Sequence, residues 1–310
     1  MSDRVREAFQ ERVAHFGRPK TLVGVVSLPG SSVATRDQAV VIVNVGVIHR
    51  VGPNRLHVQL ARQLASDGFA TLRFDLSGIG DSEPRRDGVV PDAVRQDLND
   101  ALSYLEGTVK ATSFVLVGLC SGANTSLRFA RLHRGVVGAA LLDPYFCKTP
   151  GFYLRHYGRR LLRWESWRNA LTGHGGHRRV LDALGRSEPP APPGDGLVAP
   201  PRVIPKAEME EGIAELTERG VQLLHVFTGG HEGYNHKGQF WEAFPRFKGK
   251  LGIRVEFLAS ADHTFRRRAN RRAVIALIRE WLVTTRFPRP LPVPEVLRAT
   301  DGPGAVPFAS

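Results

Sequence analysis

The 310-residue sequence predicts an α/β fold with a mostly parallel central sheet and helices on both of its faces. Three apolar runs of strand length, at 39–44, 115–119 and 136–142, suit strands that are buried on both faces. Helix-compatible segments, among them 56–64 and 92–105, lie between these runs. Such alternation is typical of βαβ units, which build parallel sheets. The length is also ample for burying one large core.

The first half of the chain supplies most of the predicted sheet. Residues 23–27 alternate weakly between apolar and polar positions and predict an edge strand. The helix at 56–64 is expected to end near Gly68, because glycine is common just past helix ends. A strand at 70–74 then leads into the loop 75–82, which is rich in turn-forming residues.

In the second half, the alternation stops after residue 144 and resumes near residue 221. A basic amphipathic helix is predicted at 153–168, and the proline-rich segment 187–196 is incompatible with regular structure. The remaining predicted elements are helix, strand, helix, strand and helix at 208–219, 222–227, 237–244, 255–258 and 272–284.

This organisation predicts a core with one large insertion. The core is expected to comprise 1–144 and 221–286, with a cap or lid at 145–220 that contains the mobile Pro-rich segment. The tail at 287–310 is rich in proline and glycine and is expected to be loosely attached.

The net charge of +13 raises the question of an anionic partner. The sequence contains no helix-turn-helix, RNA-binding strand signature or zinc-ligand spacing, so we predict no nucleic acid and no metal. Basic residues concentrate at 155–179 and 266–279. Two interpretations stay open: an ordinary solvated surface, or a landing site for an acidic carrier domain or the phosphates of coenzyme A.

Other features bear on the location of the protein. No apolar stretch approaches the roughly 18 residues that a membrane span requires, and residues 1–7 lack the apolar core of a signal peptide. The two cysteines, Cys120 and Cys147, do not make a disulfide framework. We therefore expect a cytoplasmic protein without a transmembrane segment. The sequence does not define its oligomeric state.

A candidate nucleophile lies where the strand at 115–119 meets the following helix. The spacing Gly118-x-Cys120-x-Gly122 fits a nucleophile elbow, a strained turn that needs small residues two positions before and after the nucleophile. The turn is centred on Cys120 rather than on Ser121, because Leu119 is not small. The adjacent helix N-terminus favours the thiolate. The alternative is a glycine-rich turn with a buried structural cysteine.

Three motifs occur in order: Asp75-x-x-Gly78-x-Gly80-x-Ser82, the elbow around Cys120 and Asp262-His263-Thr264-Phe265. On these motifs, the span from about residue 20 to 286 resembles the α/β-hydrolase superfamily. Cysteine at the elbow departs from the commoner serine and is similar to the dienelactone hydrolases and polyhydroxyalkanoate synthases. The resemblance implies an α/β-hydrolase fold with an inserted helical cap and a catalytic triad.

The resemblance implies His263 as the base, since it follows the last predicted strand. The acid is less certain. Glu232 follows the penultimate strand, the usual place in the superfamily for the residue that orients the imidazole, and is preferred. Asp143, at the end of the strand after the elbow, is the alternative.

An oxyanion hole needs two N–H groups aimed at the developing negative charge. The resemblance implies one from Ser121 and one from the loop after Asn44, at Gly46 or Val47. His49 and Arg50 are candidates for binding an anionic part of the substrate, or they belong to a loop that bonds only to itself.

These residues predict a hydrolase of an ester or thioester that acts through an acyl-cysteine intermediate, without a cofactor. Thioesters are somewhat favoured, because a thiolate gains least over an alkoxide on oxygen esters. The partner is then a small-molecule acyl substrate, either free or bound to a carrier protein or coenzyme A. An acyltransferase that uses an alcohol or amine acceptor is the alternative. A non-catalytic binding protein on the same fold is a third possibility.

Overall fold

The computed structural model describes residues 8–85, 90–161 and 205–290. Its strands are β1 (Phe9–Phe16), β2 (Leu22–Pro29), β3 (Gln38–Val43), β4 (Thr71–Phe74), β5 (Ser113–Leu119), β6 (Val136–Leu142), β7 (Gln222–Thr228) and β8 (Ile253–Leu258). Its helices are α1 (Leu56–Ser66), α2 (Val90–Val109), α3 (Ser121–Leu132), α4 (Pro150–Leu161), α5 (Lys206–Glu218), α6 (Gln239–Ala243) and α7 (Arg268–Thr284). None of the described helices combines the length and apolarity needed to cross a bilayer.

The eight strands form one sheet in the order β1-β2-β4-β3-β5-β6-β7-β8. From β4 through β8 all neighbours are parallel, whereas β1 and β2 are antiparallel additions at one edge. The predicted parallel α/β sheet is therefore confirmed. Parallel strands place their carboxyl ends at the same edge of the sheet, so the loops after β3, β5, β6, β7 and β8 meet there.

The edge of the sheet differs from the prediction. The sequence predicts no strand at 9–16 and an edge strand at 23–27, but β1 forms the edge and β2 lies inside it. Only Ala14 and Phe16 of β1 are buried, so the strand lacks a clear apolar alternation. Long-range contacts stabilise it instead, since Arg62 and Arg73 both donate to the carboxylate of Glu11.

Two apolar clusters cover the two faces of the sheet. Successive strand side chains point to opposite faces, so Val40 and Ile42 join one cluster while Val41 and Val43 join the other. Helices α1 and α7 cover the first face, and α2, α3 and α5 cover the second. The sheet is thereby fixed as a rigid support for the loops at its carboxyl edge.

The insertion is smaller than expected at its C-terminal end. Helix α5 lies inside the predicted cap, 145–220, yet its Met209, Ile213 and Leu216 are buried in the core cluster against the sheet. This helix therefore belongs to the core layer, which resumes near residue 206 rather than 221. The predicted basic helix at 153–168 corresponds to α4, which is described as far as Leu161. The Pro-rich segment and residues 291–310 lie outside the described residues.

Three histidines that are buried or half-buried have lowered pKa values in the folded protein. Burial lowers the pKa of His57 to about 4, and the charge of Arg73 lowers it further. Burial likewise lowers the pKa of His133 to about 4, with a contribution from Arg219. Burial lowers the pKa of His225 to about 3, and neither of its ring nitrogens has a hydrogen-bond partner in the described part of the chain.

We expect the free energy of unfolding to fall as the pH drops from about 6.5 toward 4. Below about pH 6.5 the unfolded chain protonates these histidines, whereas the folded chain keeps them neutral down to their lowered pKa values. Three such groups give a slope of up to about 4 kcal/mol per pH unit near pH 5. Urea unfolding between about pH 7 and pH 5 measures this slope, and His225→Leu should remove about a third of it. An unchanged slope in His225→Leu would contradict the prediction.

Candidate active site

The turn between β5 and α3 has the geometry of a nucleophile elbow centred on Cys120. Cys120 has φ 56° and ψ −121°, a conformation that residues with a side chain rarely adopt. A β-carbon at Gly118 would overlap the carbonyl oxygen of Gly122, and one at Gly122 would overlap that of Asn44. The two glycines therefore let β5, α3 and the loop after β3 approach closely enough to form the turn.

His263 lies in the loop after β8 and faces Asp143. Its Nδ1 lies 2.9 Å from Oδ2 of Asp143, and its side chain is 38% exposed. The hydrogen bond to Asp143 is the largest cause that raises the pKa of His263 to about 10, and the interaction with the Cys120 side chain is the next. Both interactions favour the protonated imidazole.

Asp143 is the carboxylate that the fold presents to the imidazole. It directly follows β6, has a fully buried side chain and adopts a φ of 43°. The backbone N–H of Thr228 donates to its Oδ1 at 2.7 Å, and the Thr228 hydroxyl donates to Oδ2 at 2.6 Å. Hydrogen bonds to a carboxylate hold both its position and its negative charge. Sequence reasoning missed Thr228, which lies at the very end of β7.

The preference for Glu232 as the acid is contradicted by this geometry. Glu232 is exposed, and no hydrogen bond joins it to His263 among the described residues. The reason lies in the two residues after Thr228. The Gly229 and Gly230 amides donate to the carbonyls of Leu258 and Ala261, at 3.1 Å each, and so bind this loop to the one that carries His263. The next side chain, that of His231, then contacts the loop after β6, with Nε2 2.8 Å from the carbonyl oxygen of Pro144, while Glu232 is exposed.

The predicted oxyanion donors differ in whether their backbone N–H groups already have a hydrogen-bond acceptor. Ser121 is the first residue of α3, and no acceptor for its backbone N–H lies among the described residues. The N–H of Gly46 donates to the Ser121 hydroxyl at 2.7 Å. Val47 is 63% exposed. The side chain of Asn44 stabilises the loop that carries Gly46 and Val47 by donating to the carbonyl of Ile48 at 2.7 Å. The loop after β3 thus reaches the elbow through Ser121.

His49 and Arg50 form an ion cluster with two loop carboxylates. The Arg50 guanidinium contacts both Asp75 and Asp81, and its side chain is only 12% exposed. His49 lies 2.8 Å from the guanidinium and 3.4 Å from Asp81. Although His49, Asp75 and Asp81 could in principle hold a metal ion, the guanidinium already supplies their positive charge. The geometry favours the self-bonded loop over substrate binding by these residues.

Tyr145 is a second group that sequence reasoning missed. It follows Asp143 and Pro144 in the loop after β6 and is half-buried. Burial is the largest cause that raises its pKa to about 12, and the charges of Cys120 and Glu232 raise it further. The phenol therefore stays protonated near the nucleophile. The signal in the sequence was its position two residues after the alternative acid.

The sheet order, the elbow after β5 and the histidine after β8 are those of the α/β-hydrolase fold. Residues 35–172 match the family described as "Serine aminopeptidase, S33". This segment carries the elbow and Asp143 but ends before His263. No curated protein sequence is significantly similar to the chain.

Solved structures share the fold at low sequence identity. A dienelactone hydrolase from Anabaena variabilis is 13% identical, with 89% of this chain and 98% of that chain covered and a TM-score of 0.53. An esterase from Pyrococcus furiosus is 12% identical, with 89% and 91% covered and a TM-score of 0.55. These likenesses show the α/β-hydrolase fold.

Proposed function

We propose that the protein hydrolyses an ester or thioester through an acyl-cysteine intermediate on Cys120. The observation that carries the proposal is the hydrogen bond between His263 and Asp143 at the carboxyl edge of the sheet, with Cys120 at the elbow as the second interaction that raises the pKa of His263. A nucleophile, a base and a group that orients the base are the parts that acyl transfer requires. Asp143 replaces Glu232 as the proposed acid.

In the proposed mechanism the Cys120 sulfur attacks as a thiolate, since the thiolate is the nucleophilic form of cysteine, and His263, whose pKa is raised, holds the proton. The thiolate sulfur bonds to the acyl carbon, and the π electrons of the carbonyl move onto its oxygen. When the carbonyl re-forms, the bond to the leaving group breaks, and the alcohol or thiol departs with the proton from Nε2 of His263. The His263 imidazole is then neutral and serves as the base for the second half-reaction.

In the second half-reaction, a water molecule attacks the acyl carbon while His263 takes one of its protons. The new tetrahedral intermediate collapses by breaking the carbon–sulfur bond, which releases a carboxylic acid and restores the thiolate and the imidazolium. Asp143 keeps Nδ1 protonated in both halves, so Nε2 always faces the reacting atoms.

Exposure of the imidazole supports water as the acceptor. The His263 side chain is 38% exposed, so solvent reaches the base that must activate the acceptor. An alcohol or amine in the same position makes the protein an acyltransferase, which is the alternative. Residues 162–204 of the predicted cap lie outside the described residues.

The test of this proposal is intact-protein mass spectrometry after exposure to a panel of acyl thioesters and aryl esters. An acyl adduct on the wild-type protein that is absent from Cys120→Ala supports the proposal. Release of free carboxylic acid identifies a hydrolase, whereas transfer to an added alcohol or amine identifies an acyltransferase. A wild-type protein that forms no adduct and turns over none of the donors would contradict the proposal.

A basic rim beside His263 supports an anionic acyl donor, such as a carrier-bound or coenzyme A thioester. Arg266, Arg267 and Arg268 follow His263 by three to five positions, and all three are exposed. In the described part of the chain, no carboxylate forms an ion pair with their side chains. Unpaired surface charges steer an oppositely charged ligand toward a site.

We expect kcat/KM for an acyl-coenzyme A to fall more steeply with added salt than kcat/KM for a neutral aryl ester. Salt screens exposed charges over about 8 Å at physiological ionic strength. The double variant Arg266→Gln, Arg267→Gln should remove most of this difference. Its matched control is Lys248→Gln, Lys250→Gln, which removes two exposed charges before β8, at the opposite edge of the sheet. If added salt changed kcat/KM equally for the two donors, the prediction would be wrong and these arginines would be ordinary surface residues.

A further inference from the structure

The hydroxyl of Ser121 lies between the elbow and the loop that is expected to supply the second oxyanion donor. The backbone N–H of Gly46 donates to Ser121 Oγ at 2.7 Å, across 75 positions of sequence. Gly46 adopts a φ of 51°, a conformation that glycine accepts without strain and that turns its amide toward Ser121. This amide is therefore already bonded and does not face a substrate directly.

A serine hydroxyl that accepts a hydrogen bond still has its own proton to donate. No acceptor for the Ser121 hydroxyl proton lies among the described residues. The N–H bond from Gly46 also polarises the hydroxyl and makes it a stronger donor, because hydrogen bonds in a chain reinforce one another. Ser121 thus carries two available donors, its hydroxyl and its backbone N–H, directly after the nucleophile.

We propose that Ser121 supplies both donors of the oxyanion hole, with Gly46 acting through the Ser121 hydroxyl rather than on the substrate. This inference rests on the proposed acyl-transfer function. As the Cys120 sulfur bonds to the acyl carbon, the carbonyl oxygen gains the electron pair of its π bond. The Ser121 O–H and N–H donate hydrogen bonds to that oxygen, and both bonds weaken when the carbonyl re-forms. No proton leaves Ser121 at any step.

Two reactions of the same thiol separate this role from a structural one. Acylation by p-nitrophenyl acetate places negative charge on a carbonyl oxygen, so it needs the oxyanion donors. Alkylation by iodoacetamide is a displacement at a saturated carbon and forms no oxyanion. Both rates are measured on the full-length protein, with mass spectrometry to show that the modified residue is Cys120.

We expect Ser121→Ala to slow acylation by about 10- to 100-fold, less than the usual loss for an oxyanion donor, because the freed Gly46 N–H partly substitutes. Alkylation should stay within about twofold of the wild-type rate, since that reaction does not use the donors. Ser121→Thr keeps a hydroxyl and should recover most of the acylation rate. Ser126→Ala is the matched control, because it removes a buried hydroxyl of α3 that donates to the Gly122 carbonyl and has no other partner among the described residues. Its ratio of the two rates should equal that of the wild type.

Two outcomes would contradict the inference about Ser121, and a third would contradict the proposed function as well. If Ser121→Ala slows both reactions equally, Ser121 only holds the elbow in place and the inference is wrong. If Ser121→Ala acylates as fast as the wild type, its hydroxyl is no donor and the inference is again wrong. If wild-type Cys120 is alkylated but never acylated by any donor, the proposed function fails and the inference falls with it.

Discussion

Replacing Cys120 by alanine is expected to lower kcat/KM for an activated ester by about 10⁴-fold or more, because it removes the proposed nucleophile on which the other groups of the site would act. The expectation rests on the elbow geometry, since Cys120 alone has the strained conformation of the central residue and a glycine two positions away on each side. Steady-state kinetics with p-nitrophenyl acetate and an acyl thioester measure the loss.

The control for this substitution is Cys147→Ala, which removes the second cysteine of the chain. Cys147 lies in the loop after β6 and packs against the apolar core, and we assign it no part in the reaction. Its activity should remain near that of the wild type. If Cys120→Ser keeps most of the activity while Ser121→Ala abolishes it, the elbow is centred on the wrong residue.

The elbow could be predicted from the sequence because its constraints are local. The turn needs two small residues at fixed spacing between a strand and a helix, and Gly118 and Gly122 satisfy that need within five positions. The parallel sheet could be predicted for a similar reason, because apolar runs and helical segments alternate along the chain. Strand β1 could not, because it is stabilised by ion pairs from distant residues rather than by its own pattern.

The acid could not be chosen from the sequence because the choice depends on how two loops pack. Both Asp143 and Glu232 follow parallel strands that end at the correct edge of the sheet. Thr228 fixes the Asp143 carboxylate, which contacts the imidazole of His263. The two glycines after Thr228 then bind the loop of Glu232 against the loop of His263. The packing of these loops depends on residues far apart in the sequence, so no local sequence pattern predicts it. The contact between Gly46 and Ser121 could not be predicted for the same reason.

Replacing Asp143 by asparagine should lower kcat/KM by about 10³- to 10⁴-fold, the scale seen when the orienting carboxylate of a triad loses its charge. An asparagine amide also cannot accept both hydrogen bonds from Thr228 while accepting one from Nδ1 of His263. Because Asp143 is the largest cause of the raised pKa of His263, that pKa should fall from about 10 in the variant. The imidazolium should therefore be lost at a lower pH than in the wild type.

Nuclear magnetic resonance of His263 across the pH range measures that change, and kinetics measure the loss of activity. Glu232→Gln is the matched control, because it neutralises an exposed carboxylate that the sequence places in the usual position of the acid. We expect this control to change kcat/KM by less than about threefold, as a residue outside the reacting groups should. Asp143 would have to be abandoned as the acid if Glu232→Gln lost the activity while Asp143→Asn retained it with an unchanged His263 titration. That result would mean that the Glu232 loop closes on the imidazole when substrate binds.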